Sequence, residues 1–270
     1  MISVLSDMMS YTFIVRAMIV GGLVALCSAL LGVSLVLKRY SMIGDGLSHV
    51  AFAALTIAVA MNVAPLYIST PIVTVAAIIL LRLSENSKIK GDSAIALIST
   101  VSIAIGVVVT ALTKGMNTDV YSYMFGSILA MSESDVYMSI ALSVVVIILF
   151  VFFYNKIFAV TFDESFAKAT GTRADAYNMI IAVLTAITIV VGMRIMGTML
   201  ISSLIIFPAL ISMRNFKTFK SVIICSAIVS VVCFLLGIIL SYLYSIPTGA
   251  SIVLVNTVAL ILSYLIGELR

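Results

Sequence analysis

From Ser221 to Gly267 the sequence carries no Asp, Glu, Lys, Arg or His. A membrane-spanning helix needs about 20 predominantly apolar residues, so this stretch alone is long enough for two. Similar uncharged runs recur along the chain. In the whole sequence 63% of residues are hydrophobic and 10% are charged, whereas soluble domains average roughly 45–50% and about 25%. So few charges cannot cover that much apolar surface in water, and disordered chains are polar and charged. Soluble globular and disordered classes are both excluded. A polytopic all-α membrane protein remains, read as one transmembrane domain over residues 1–270.

Spans are predicted near 15–37, 46–62, 65–81, 93–113, 136–153, 177–192, 195–213, 221–244 and 250–267. That makes about nine. Eight is the alternative, because 177–213 is one apolar block interrupted at Gly192-Met193-Arg194. The basic residues set the orientation. Lys38 and Arg39, then Arg82, Lys88 and Lys90, then Lys156, Lys168 and Arg173, then Arg214, Lys217 and Lys220, and finally Arg270 fall on alternate connections. Only Arg16, Lys114 and Arg194 fall on the other side. By the positive-inside rule the C-terminus is cytoplasmic, in a plasma membrane, and with nine spans the N-terminus is outside. The N-terminus lacks the basic start and small-residue cleavage site of a secretory signal, so the first span is expected to act as its own insertion signal.

Cys27, Cys225 and Cys233 all lie in apolar runs. Cys225 and Cys233 are about 12 Å apart along one helix, too far to bridge, and all three read as small buried residues. The connection holding Asp119, Glu133 and Asp135 also contains the apolar segment 121–130. That segment is too short to span and is expected to form a short or re-entrant external helix. The chain carries no nucleotide-phosphate loop, and nothing in it points to nucleic acid.

Ionisable residues inside a span are costly and are functional candidates by default. Asp45 and His49, the only histidine, are four apart. On a helix they share one face, about 6 Å apart in rise. A carboxylate and an imidazole suit zinc, manganese or ferrous iron. The other reading is structural: Asp45 caps a helix N-terminus and His49 bonds to it. Two ligands from one helix do not complete a site, but two copies on a two-fold axis do. The Met193, Met196 and Met199 repeat and the polar Ser202, Ser203 and Asn256 read as packing and interhelical contacts.

The segment 162–171 on the inner side reads as a short amphipathic helix, with Asp163 and Glu164 in its first turn, Phe166 and Ala167 apolar, and Gly171 ending it. Lying on the membrane and docking into a partner's groove are both open from spacing alone.

Six stretches in order resemble the membrane-permease subunit of bacterial ABC importers for zinc, manganese or iron. They are LVLKRYSMIGDGLSHVAFAAL at 35–55, GDSAIALISTVSIAIGVVV at 91–109, MFGSILAMSESDV at 124–136, FDESFAKATG at 162–171, GMRIMGTMLISSLIIFPAL at 192–210 and IPTGASIVL at 246–254. The resemblance implies a type II importer-like fold with a short cytoplasmic coupling helix. It implies a pore made by two permease copies, a separate cytoplasmic ABC ATPase, and an extracytoplasmic metal-binding protein or lipoprotein that delivers the ion. It makes Asp45 and His49 candidate ligands for the transported divalent metal, zinc or manganese ahead of iron. It makes Asp163, Phe166, Ala167 and Gly171 candidate ATPase contacts. The chain itself would bind no cofactor and catalyse no reaction. The family pattern often carries alanine where this chain has Gly46, which leaves the ligands unchanged and is expected to loosen the helix there. The alternative function is an ion-coupled secondary metal carrier that works without an ATPase. An intramembrane enzyme would need a richer catalytic set, and nothing argues for a metal chelate as cargo.

Overall fold

The computed structural model describes residues 8–86, 91–113, 133–198 and 201–268. All regular structure among them is helical: α1 (Thr12–Leu37), α2 (Ile43–Ala60), α3 (Pro65–Asn86), α4 (Gly91–Leu112), α5 (Glu133–Phe152), α6 (Tyr154–Phe162), α7 (Glu164–Ala169), α8 (Ala174–Met196), α9 (Ile201–Asn215), α10 (Phe219–Tyr244) and α11 (Thr248–Glu268). Eight are long and apolar enough to cross a membrane, and α9, with 15 residues, is shorter.

The α9 helix still returns the chain across the bundle. It leaves the Met196 end of α8, and at its far end Asn215 Nδ2 donates to Ser263 Oγ near the end of α11 at 2.9 Å. The next helix opens with Phe219 stacked on Tyr154 and Phe158 of α6, and α6 joins through Phe153 and Tyr177 to the start of α8. Among the described residues, eight helices of spanning length and the shorter α9 thus follow one another through the bundle. The predicted break at Gly192-Met193-Arg194 is corrected: α8 runs through it and stops at Gly197, whose φ of 84° no L side chain adopts readily. Glu133 and Asp135, predicted in a loop, lie in the first turn of α5, where the helix dipole favours acids. The predicted external helix at 121–130 lies outside the described residues.

This arrangement gathers the basic residues of the described connections at one end of the bundle. Lys38 closes α1 there, Arg82 lies near the end of α3, and Lys168, Arg173, Arg214, Lys217 and Lys220 flank α7, α8, α9 and α10. At the opposite end Arg16 pairs with Glu133, joining the starts of α1 and α5.

Helices α1, α2 and α8 form the interior, whereas α4 buries only 17% of its spanning window. The α4 helix presents Leu97, Val101, Val108 and Leu112 outward, as a membrane surface requires. Between apolar helices in lipid, close packing and hydroxyl bonds supply cohesion that the hydrophobic effect does not. Ser230 Oγ donates to the Ala25 carbonyl at 2.8 Å, and Ser251 Oγ to the Gly237 carbonyl at 2.8 Å. Gly32 brings α1 against the backbone of α9: a Cβ there would lie 2.1 Å from the Ile205 carbonyl oxygen. The three cysteines are free, and Cys27 Sγ donates to the Ser143 carbonyl at 3.5 Å. Met193 and Met196 are buried in the main core.

Candidate metal path and docking helix

The turn between α1 and α2 sets the position of the Asp45 helix. Lys38 is the C-cap of α1. Arg39 adopts the left-handed conformation at φ 61°. Its N–H donates to the Val36 carbonyl, and the Tyr40 N–H donates to the Leu35 carbonyl at 2.8 Å. This is the Schellman closure, built on arginine where glycine is usual. Then the Ile43 N–H donates to the Tyr40 carbonyl at 3.0 Å and α2 begins.

The N-cap of α2 is Met42, with no side-chain cap bond. Asp45 therefore sits inside the first turn, in the field of the helix N-terminus, but it is not the capping residue. Its Oδ2 lies 3.6 Å from His49 Nε2. That is ion-pair range and too long for a hydrogen bond. The two side chains retain 39% and 14% exposure respectively in the single chain. An imidazole and a carboxylate thus lie on one helix face, within ion-pair range of each other, His49 largely covered and Asp45 partly exposed. Among the described residues no group of three or more His, Cys, Asp or Glu forms a complete metal cluster.

The neighbours of this face are close. A Cβ on Gly46 would meet Ile95 Cγ2 at 2.8 Å and Ser99 Oγ at 3.5 Å. Gly46 is one of two close approaches between α2 and α4, the other being Gly106 against Phe52, where an added Cβ would lie 2.5 Å from the ring. Gly44 faces Ile205 and Ser202 of α9 in the same way. The Ser202 hydroxyl is buried and unbonded among the described residues, and so is the Asn256 Oδ1 in α11.

At the basic end, Asp163 caps α7 by accepting from the Phe166 N–H at 2.9 Å. Gly171 ends the turn with φ 81°. Phe166 points outward at 66% exposure, while Ala167 turns inward onto Val160 and Ala174. Of the four candidate docking residues, Phe166 presents the largest apolar surface to an external partner.

Sequence reasoning missed what holds α7 in place. The carboxylate of Glu164 is held on both oxygens. Lys168 Nζ lies 3.0 Å from Oε1. At Oε2, Lys38 Nζ donates at 3.2 Å and Asn178 Nδ2 at 3.0 Å. Lys38 also donates to Asn178 Oδ1, and Lys168 reaches Asp175 at 2.9 Å. Burial would raise the Glu164 carboxyl, but the bonds from Asn178 and Lys168 and the charge of Lys38 outweigh it and hold it at about 2. The Lys38 side chain keeps only 9% exposure, which a lysine tolerates only when paired. That unusual burial was the signal available, and only the tertiary structure carries it. Beside this cluster is a recess of about 550 Å³ lined by Tyr40, Arg82, Glu164, Lys168 and Asp175.

Fold and geometry together describe a helical membrane protein with an Asp–His pair in the first turns of one helix and a capped short helix at its basic end. The chain belongs to the ABC 3 transport family, which it matches over residues 10–267, the membrane permeases of bacterial metal ABC importers. It is 29% identical to the high-affinity zinc uptake system membrane protein ZnuB of Haemophilus influenzae, over 92% of this chain and 95% of the relative. It is 25% identical to the manganese import system permease protein ScaB of Streptococcus gordonii, over 95% and 92%. Among solved structures, PsaBC from Streptococcus pneumoniae in complex with Fab superposes with a TM-score of 0.88 at 26% identity, covering 98% of this chain and 95% of that one. Permeases of this family work with a separate ATPase, so membership sets the ATPase-independent carrier aside.

Proposed function

We propose that this chain forms, with a second copy, the path by which manganese or zinc crosses the plasma membrane, driven by a cytoplasmic ABC ATPase and supplied by an extracytoplasmic metal-binding protein. The observation that supports the metal path is the Asp45–His49 pair: two residues of ligand type on one helix face, 3.6 Å apart, with Asp45 partly exposed. Two chains on a two-fold axis bring two carboxylates and two imidazoles to one ion. The carboxylates offset part of the cost of a dication in a low-dielectric interior. The site must also release its ion, so it holds the metal briefly. Both a manganese and a zinc permease stand among the relatives, which supports these two metals ahead of iron.

The basic end is the cytoplasmic face by the positive-inside rule, and the C-terminus lies there. The α7 helix is then the ATPase-docking element. Phe166 inserts into the partner, with Asp163 and Gly171 shaping the two ends of the helix and Ala167 seating it on this chain. Hydrolysis takes place in the ATPase subunit, and this chain performs no covalent chemistry.

The test is cellular accumulation of manganese, zinc and iron under metal scarcity. The wild type, Asp45→Asn and His49→Gln are expressed with the ATPase and binding protein at matched membrane levels. Both variants should lose accumulation of the same metal. Unchanged accumulation would remove the pair from the path.

A further inference from the structure

The docking helix is too short to anchor itself through apolar packing. It has six residues, Glu164–Ala169, and only Ala167 among them is buried. Beside the Ala167 contact and the exposed Lys168–Asp175 pair, it is held by Glu164, whose Oε2 accepts from Lys38 at the end of α1 and from Asn178 in α8. We propose that Lys38, Glu164 and Asn178 form a clamp that transmits displacement of the docking helix to the Asp45 helix. This inference rests on the reading of α7 as the ATPase-docking element.

The path is continuous and short. Glu164 is the first residue of α7 and adjoins its cap, Asp163. Lys38, on the other side of the clamp, is the C-cap of α1. From there the chain passes through the left-handed Arg39, whose turn is closed by the Arg39-to-Val36 and Tyr40-to-Leu35 bonds and by Ile43-to-Tyr40. With three backbone bonds in so few residues, the turn moves as one piece. Asp45 follows in the first turn of α2. A shift of α7 toward or away from the bundle therefore pulls on the connection leading to the metal face, while Asn178 ties the same carboxylate to α8.

Charge gives the clamp its strength. Lys38 has little access to water, so loss of the Glu164 carboxylate removes a counter-charge from a nearly buried ammonium. The Lys168 and Asp175 pairs, at 50% and 75% exposure, are solvated and add little. Lys38, Glu164 and Asn178 are thus positioning residues: they touch neither metal nor nucleotide and act through the helices they join.

The experiment uses the complete transporter, with this chain, its ATPase and its binding protein in lipid vesicles, and reads metal delivered per ATP hydrolysed. Glu164→Gln and Lys38→Met should both retain the ATPase on copurification and lower metal per ATP on the order of tenfold, the size of a typical coupling between sites. The exchanged pair Lys38→Glu with Glu164→Lys should recover part of that ratio, which a defect of folding alone would not allow. An unchanged ratio in both single variants overturns the clamp. Loss of ATPase copurification in both also overturns it, because Glu164 would then be a docking contact. If the wild-type vesicles move no metal on ATP, the functional reading fails instead, and that outcome is separate from the fate of the clamp.

Discussion

Placing a methyl group on Gly32 tests the packing that sets the metal face. Its Cβ would lie 2.1 Å from the Ile205 carbonyl oxygen, 3.0 Å from the carbonyl carbon and 3.3 Å from the Cα. The obstacle is backbone, so no rotamer change relieves it, and α1 and α9 must part by about 1 Å to restore an ordinary C···O contact. Overpacking of this kind costs about 1–3 kcal/mol, and a backbone obstacle places Gly32→Ala near the upper figure. Alanine recovers about 0.5–1 kcal/mol over glycine within a helix. The net expectation is a loss of about 2 kcal/mol. Gly22, on the same helix, has nothing within 4 Å of its added Cβ, so Gly22→Ala should gain about 0.5–1 kcal/mol. Reversible denaturation of the purified chain in detergent should separate the two variants by nearly 3 kcal/mol. Metal accumulation should fall in Gly32→Ala as well, because Ile205 also packs against Gly44, next to Asp45. If Gly32→Ala matches Gly22→Ala in stability, the backbone contact between α1 and α9 does not exist as described.

Two further outcomes follow from the docking helix. Asp163→Ala removes the capping bond to the Phe166 N–H and should destabilise α7 by about 1 kcal/mol; faster amide exchange across 164–169, with the spanning helices unchanged, is the check. The Glu164 carboxyl is held at about 2, below its ordinary 4.5, so its contribution to the clamp is complete above pH 4.5 and is lost as the pH falls toward 2. A spin label on the exposed Ser165 should gain mobility over that window, and Glu164→Gln should abolish the pH dependence.

The proximity of Asp45 and His49 was legible in the sequence, because residues four apart share one face of a helix. Whether Asp45 also caps that helix was not legible. Asp45 is not the cap of α2, because the turn after α1 starts the helix at Ile43, two residues before it. The α8–α9 break was misplaced for a related reason. A charge at Arg194 resembles an interface, yet the helix ends where the backbone turns left-handed, at Gly197. The close approach of α4 at Gly46 was not legible either, since a glycine in sequence does not reveal the helix that packs against it.

Solvent determined what the sequence alone decides here. Lipid demands apolar runs of a given length with their backbone bonds satisfied internally, and an asymmetric charge distribution orients them. The all-helical membrane class and the approximate number of spanning helices were therefore written in one dimension. The short helix α7 was equally local, its cap, apolar residues and terminating glycine lying within ten residues. The tertiary structure decided how that helix is joined to the ends of α1 and α8. Lys38 and Glu164 are 126 positions apart, and neither is distinguishable in sequence from a surface charge. Only the packing that brings α1, α7 and α8 together removes water from Lys38, and that removal turns three ordinary polar residues into one tied unit.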